Sequence, residues 1–413
     1  MLKKIIRKLI LFRYRKYDNK ELEKKLFVAK PKTYELVSRA RRTGQRKEYR
    51  KNITKKVNEK MFFFESNLGR QYTGNPRYIY EAMIEMYPDY EYVWGYNGDP
   101  DNIPGNPKVV ERGSQEYYQL LAQAKYLINN TNFLNIFFRK ESFFLQTWHG
   151  TPLKTLHYDR KNIEPARREK GTFYLKSREW SALLAANEYS ASKFKSAFRY
   201  EGEILEYGYP ANDVFYDSDK QELFRRRIRE QLNIEEDKYV ILYAPTWTGY
   251  KPLGGAIFEF KLELDIEKLI SDLGNDVVLL IRSHHMSASD EVLEKLKGQI
   301  INVSKFDDAI ELMCAADLLI TDYSSIIYDW YCTKKPALYY VPDLEEFLKY
   351  RPLYYDFRNK YSIPLCQSQD ELVSEINNAL QGNHVVDEQF YQDFCSLHDG
   401  NATKKVIEYL LSK

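Results

Sequence analysis

The chain has 413 residues, which exceeds the roughly 250–300 at which a single core stops growing, so two cores plus appendages are expected. Its net charge of +3 hides an asymmetry. Residues 1–60 carry 22 Lys and Arg against 6 Asp and Glu, and the remainder carries 40 against 53, so the basic surplus belongs to the N-terminal segment and points to an anionic surface as partner, not nucleic acid. Cys314, Cys332, Cys366 and Cys395 show no close spacing and no CxxC, which excludes a disulfide framework or zinc site and fits a reducing cytoplasm. No apolar run approaches the ~18 residues of a membrane span, and Arg7 and Lys8 split the N-terminal apolar run, so neither a spanning helix nor a signal peptide is expected.

In chain order, Leu2, Ile5, Ile6, Leu9 and Ile10 fall on one helical face, with Lys3, Lys4, Arg7 and Lys8 opposite. That is an amphipathic basic helix suited to anionic headgroups, although such a helix can also pack on its own protein. Residues 13–59 continue basic and helical in character. From residue 60, short apolar runs alternate with helical stretches, the pattern of parallel sheets flanked by helices. Strands are expected near 61–64, 91–94, 126–129, 143–147, 182–186 and 204–207, then near 239–244, 277–281, 300–303, 318–321 and 337–341. The turn-rich residues 208–213 between the two series suit a hinge. The expected organisation is a basic extension over 1–59, α/β domains over 60–208 and 209–395, and a C-terminal helix over 396–413. The two domains would be doubly wound, Rossmann-like and facing across a cleft.

Three strand ends in this scheme carry chemistry. The apolar run ending at Trp148 delivers His149, followed by Gly150, Thr151 and Pro152, which read as a tight turn, a cap and a first helical residue. A histidine there could serve as general base for a hydroxyl, or could be satisfied by a backbone carbonyl. Residues 277–285 deliver Arg282, Ser283, His284 and His285 at the end of an apolar strand, where ligands of parallel sheets bind. Arg282 could fork onto a phosphate, and His284 would share its side of the strand. Residues 318–330 run from a buried strand through Asp322, Ser324 and Ser325 into a helix, a place where phosphate meets free N–H groups and hydroxyls, although Ser is also a plain N-cap. Thr246, after Tyr243, Ala244 and Pro245, opens toward the same face.

With these residues assembled, the chain resembles the CDP-glycerol glycerophosphotransferase family, the teichoic acid primases and polymerases of Gram-positive bacteria and their capsule-building relatives. The resemblance rests on residues 64–80 with Gly69, Arg70, Gly74, Asn75, Pro76 and Arg77, on His149-Gly150-Thr151, and on Ala244-Pro245-Thr246-Trp247. Arg282-x-His284, Thr321-Asp322-Tyr323-Ser324-Ser325 and Asp399-Gly400 complete the set, in the family's order. It implies a GT-B fold with the acceptor on the first domain and CDP-polyol on the second. It further implies attack by an acceptor hydroxyl on the polyol-bearing phosphate with release of CMP. His149 matches the family's candidate base, and His284 with Arg282 the pyrophosphate contact. Thr246, Asp322, Ser324 and Ser325 fall on the donor side. Gly150, Thr151, Lys154, Arg70, Asn75 and Arg77 fall on the acceptor side.

Two departures stand out: Thr248 and Gly249 replace the arginine that often follows Ala-Pro-Thr-Trp, and His285 follows the Arg-x-His element. No metal-binding motif is apparent, so no cofactor is required beyond the donor. The reading is a peripheral transferase at the cytoplasmic face of the membrane, moving glycerol phosphate from CDP-glycerol to a lipid-linked saccharide or polyol-phosphate acceptor. Ribitol phosphate or another polyol phosphate as the transferred group, a nucleotide-sugar GT-B glycosyltransferase and a non-catalytic membrane-binding scaffold remain as alternatives. A homo-oligomer is left open.

Overall fold

The computed structural model of the protein describes residues 47–134, 138–160, 173–174, 176–246, 251–254, 257–259, 264–282, 298–358 and 360–413. The expected amphipathic helix, with Leu2, Lys3, Lys4, Ile5, Ile6, Arg7, Lys8, Leu9 and Ile10, lies outside the described residues, as do Trp247, Thr248, His284 and His285. Contacts divide the chain into two units: one holds the residues up to Gln71 with Tyr87–Phe144, the other Tyr72–Met86 with Leu145–Lys413.

In the first unit, β1 (Asn58–Glu65), β2 (Glu91–Gly95), β3 (Lys108–Val110) and β4 (Ala124–Asn129) pair in parallel in the order β3-β2-β1-β4. Phe62, Phe63 and Phe64 are all fully buried. Consecutive residues of a strand point to opposite faces, so burial of all three means that both faces of the sheet are covered. Phe62 stacks on Tyr126 at 4.3 Å, and Phe63 meets Tyr117 edge-on at 5.2 Å. At the carboxyl end of β1, the buried Glu65 accepts hydrogen bonds from Tyr117 (2.6 Å), Asn129 (3.0 Å) and Arg112 (3.1 Å). These donors satisfy a carboxylate that burial would otherwise make costly.

β5 (Phe143–Gln146) carries the chain into the second unit, where it pairs in parallel with β6 (Ala182–Ala185), and β6 pairs with β7 (Glu203–Glu206). A separate six-stranded parallel sheet follows, built from β8 (Tyr239–Tyr243), β11 (Val277–Ile281), β12 (Ile300–Asn302), β13 (Leu318–Thr321), β14 (Ala337–Tyr340) and β15 (Leu365–Cys366) in the order β12-β11-β8-β13-β14-β15. β9 (Lys251–Gly254) and β10 (Ile257–Glu259) form an antiparallel ribbon. Ile281 and Ile320 both sit opposite Tyr243, so β8, β11 and β13 end side by side and their next residues share one edge. All eleven expected strands are present, and the α/β, doubly wound reading holds. β3, β15 and the β9–β10 ribbon are additions of two to four residues, too short to leave a periodic signal. The four cysteines are buried and free.

The expected hinge at residues 208–213 is corrected. Its second half belongs to a 3₁₀ helix, Pro210–Tyr216, with Pro210, Ala211 and Asn212 buried. Asp213 accepts from the N–H groups of Ala402 and Thr403, which fastens the segment to the start of the helix Ala402–Leu411. Gly208 is needed there: its φ is +81°, and a Cβ would come within 2.9 Å of the His398 ring.

Arg229, on the helix Ser218–Gln231, ties this unit together. Its guanidinium donates to the carbonyls of Ala315, Glu236 and Lys238 and to Asp317 at 2.7 Å. Arg229→Met should lower stability by about 2–3 kcal/mol, because it strands buried carbonyls and a carboxylate that water only partly screens. Denaturant unfolding of the two proteins checks this.

Candidate active site

The chain leaves β5 in a strained turn. Trp148 adopts φ +55°, in the left-handed region that a bulky residue rarely enters. Its N–H donates to Gln146 Oε1 at 2.9 Å, and its ring packs against Phe194 (5.6 Å) and Phe198 (4.7 Å). The His149 ring stacks on that of Trp148 at 4.4 Å, so the buried indole sets the plane of the imidazole. His149 is exposed, yet the protein mass around it desolvates the ring and pushes its pKa below the ordinary imidazole value. It therefore stands as a neutral imidazole, which can accept a proton.

Gly150 follows with φ +136°, and a Cβ at this position would sit 3.1 Å from Ser325 Oγ. The backbone of the His149 turn thus touches the serine pair at the end of β13. The expected helix start at Thr151 and Pro152 is not there: residues 151–156 run extended, with Lys154 bridged to Leu353 in antiparallel fashion. The Thr155 N–H donates to the Pro352 carbonyl and the Tyr354 N–H to the Leu153 carbonyl, so the backbone finds its partners across the molecule and not in a helix. Thr151 is no cap; its hydroxyl oxygen accepts from Asn187 (3.1 Å) and Ser190 (3.2 Å) in the interior.

On the row of strand ends, Asp322 accepts from the Thr246 N–H and hydroxyl, both at 2.7 Å, joining the ends of β8 and β13. Lys154 reaches the same point, donating to the Tyr323 carbonyl at 2.8 Å and to Thr246 Oγ1 at 3.3 Å. Lys154 is expected on the acceptor side; its ammonium lies against Thr246 and Tyr323, in segments expected on the donor side. Desolvation lowers its pKa to about 8, against the opposing pull of Asp322. Burial raises the Asp322 pKa, with Lys154 opposing. Asp322 therefore acts on its surroundings through Thr246 and Lys154.

Ser324 and Ser325 precede the helix Ile326–Tyr331 as expected, but that helix has six residues, and the Ser325 side chain makes no capping bond. Its dipole adds little, so the serine hydroxyls are what the turn offers an anion.

Other expected site residues are engaged inside the fold. Asn75 donates to the Thr147 carbonyl (3.2 Å) and accepts from the Ala211 N–H (3.1 Å), which positions the His149 turn from behind. Arg77 is ion-paired with Glu81 (2.8 Å), Asp308 (3.2 Å) and Glu311 (2.6 Å), and its side chain is only 12% exposed. It is a half-buried cation closed on three carboxylates. Arg282, expected to fork onto a phosphate, donates instead to the carbonyls of Val303, Phe306 and Asp307 and braces the loop after β12. Arg70 is exposed in the first unit.

Sequence reasoning missed Tyr209, Asn212 and Asp329. Asn212 donates to Asp329 at 2.9 Å, burial lifts the Asp329 pKa to about 6, and burial with the charge of Asp329 raises the Tyr209 pKa. No motif spacing signals such a group, because its members come from two distant segments. Among the described residues, no group of three or more His, Cys, Asp or Glu side chains is arranged to hold a metal ion.

The family described as CDP-Glycerol:Poly(glycerophosphate) glycerophosphotransferase matches residues 48–412. The chain belongs to this family. A teichoic acid poly(glycerol phosphate) polymerase of Bacillus subtilis is 35% identical over 364 residues, covering 85% of this chain and 48% of the relative. One of Bacillus spizizenii is 34% identical over 367 residues, covering 86% of this chain and 92% of the relative. The chain thus spans about half the length of the first of these curated relatives. Among solved structures, the wall teichoic acid polymerase TagF matches with a TM-score of 0.81 at 30% identity, covering 99% of this chain and 98% of that one. The chain therefore has a TagF-like GT-B fold.

Gly150→Ala should cost about 1–3 kcal/mol, from a side chain held at φ +136° and pressed on Ser325. Ser325→Ala in the same chain should recover part of that loss. A double-mutant cycle of unfolding free energies measures the coupling.

Proposed function

We propose that the protein transfers glycerol phosphate from CDP-glycerol to a lipid-linked saccharide or a polyol-phosphate chain, releasing CMP, in teichoic acid synthesis. The observation that carries this reading is the meeting, within one unit, of a neutral histidine turn with the serine pair and the Lys154–Thr246–Asp322 group. His149 takes the proton of the acceptor hydroxyl. The oxygen so activated forms a bond to the polyol-bearing phosphorus, and the bond from that phosphorus to the bridging oxygen breaks, its electron pair leaving with CMP. Ser324, Ser325 and Lys154 hold the diphosphate. Positioning and charge stabilisation supply most of the rate in such chemistry. Glycerol is favoured over ribitol by the poly(glycerol phosphate) polymerases among the relatives. The division into an acceptor domain over 60–208 and a donor domain over 209–395 is part of the proposal, as is His284 as a phosphate contact.

His149→Ala should reduce CMP release by at least about 10²-fold, the ordinary contribution of a general base, while leaving CDP-glycerol affinity within a few-fold of wild type. Steady-state release beside calorimetric affinity separates the two. The acidic limb of the wild-type pH–rate profile should lie below the usual imidazole value of about 6.5, because a lowered pKa keeps the base free to lower pH.

The basic N-terminal segment is proposed to hold the protein at the cytoplasmic face of an anionic membrane. No helix among the described residues is long and apolar enough to cross one. Removing residues 1–16 should abolish co-sedimentation with anionic vesicles and spare activity on a soluble acceptor; vesicle binding that survives the truncation places the membrane contact elsewhere.

A further inference from the structure

We propose that Lys154 is a positioning residue that senses the donor: its buried ammonium couples occupancy of the diphosphate site to the loop bearing His149. The inference rests on the proposed CDP-polyol reading of the site. An ammonium has three N–H bonds. Two of them are given to the Tyr323 carbonyl (2.8 Å) and Thr246 Oγ1 (3.3 Å), which belong to the loops after β13 and β8. The backbone of Lys154 belongs to a third loop, five residues after His149 and bridged to Leu353. One side chain therefore spans all three loops around the serine pair.

The charged groups that act on Lys154 are few. Asp322 favours its charge, Arg351 and Arg160 oppose it, and burial opposes it most, which brings the pKa to about 8. Asp322 is itself turned to Thr246, whose N–H and hydroxyl it accepts. The ammonium is thus incompletely compensated in the free protein and close to losing its proton at the upper edge of physiological pH. A diphosphate beside Ser324 and Ser325 adds negative charge at this point, and nearby negative charge favours the protonated amine. Donor binding and protonation of Lys154 are then linked. Each strengthens the other, and protonation in turn holds Tyr323 and Thr246 in the arrangement that meets the His149 turn.

The sign follows from linkage. Donor-bound protein has the higher Lys154 pKa, so below about 8 both states carry the proton and affinity is flat. Above about 8 the free state loses it first, and affinity should fall by up to about tenfold per pH unit until the bound state also titrates. Binding in that window takes up a proton from the buffer.

The test is calorimetric titration of the full chain with CDP-glycerol, without acceptor, at pH 7.0, 8.0 and 9.0 in buffers of different ionisation enthalpy. The expected result is net proton uptake between pH 8 and 9, little at pH 7, and loss of both the uptake and the alkaline fall in affinity in Lys154→Met. Thr246→Val removes one of the two acceptors and keeps the ammonium, so it should retain proton uptake while lowering turnover more than donor affinity. Wild-type binding without proton uptake overturns the inference even if Lys154→Met fails to fold. Uptake that persists in a folded Lys154→Met also overturns it. Failure of the wild type to bind any CDP-polyol overturns instead the reading of the site.

Discussion

In the six-stranded sheet, β8 sits between β11 and β13 with Tyr243 opposite both Ile281 and Ile320, so three strands stop at one level. Everything polar at the candidate site depends on that shared ending. Inside the sheet, Ile241, Leu242, Leu280, Leu319 and Ile320 are buried on both faces, and no polar side chain could be accommodated among them without a partner. Polar chemistry is displaced to residues just beyond the strands: Arg282 and Asp322 directly after β11 and β13, and Thr246 three residues after the end of β8. Parallel register turns that displacement into a cluster, since residues far apart in sequence leave the sheet side by side.

The cluster is then divided by charge. Arg282 and Arg77 are closed on carbonyls and carboxylates and serve the scaffold. Desolvation lowers the pKa of both Lys154 and His149, to about 8 for Lys154. A cation buried with full compensation gains stability and loses responsiveness; one buried with partial compensation remains able to respond to an anion. The left-handed Trp148 belongs to the same economy of placement. Its backbone strain is held by the packing of its indole on Phe194 and Phe198, and the stacked imidazole takes its orientation from that rigid plane.

Much of the fold was legible because buried parallel strands write themselves as short, nearly continuous apolar runs. Val277–Ile281 and Leu318–Thr321 match the expected strands to the residue, and the other nine lie within a few residues of theirs. The short pieces β3 and β15 lack such an apolar run. At the site, the motifs mark segments that the fold brings together, but not the partners their side chains find. Gly150, Thr151 and Pro152 have the composition of a turn, cap and helix start, but tertiary bonding to residues 352–354 draws the chain into an extended path. Arg282 reads as a phosphate ligand because that is what a free arginine at a strand end does, and only the carbonyls of residues 303–307 reveal that it is occupied; Arg77, expected on the acceptor side, is likewise revealed as engaged only by the positions of Asp308 and Glu311. The side of the site to which Lys154 contributes is likewise a fact of side-chain reach, invisible to spacing.

The central claim is direct displacement at the polyol-bearing phosphorus, with His149 as base and no covalent intermediate on the protein. That geometry has a stereochemical signature, because a single in-line attack inverts the configuration at phosphorus and a double displacement through a phosphorylated side chain retains it. The decisive measurement uses CDP-glycerol carrying one sulfur on the glycerol-bearing phosphate, of known configuration, with the configuration of the thiophosphate linkage determined in the product. Direct displacement gives inversion; retention would rule it out and make His149 or a neighbouring group a nucleophile.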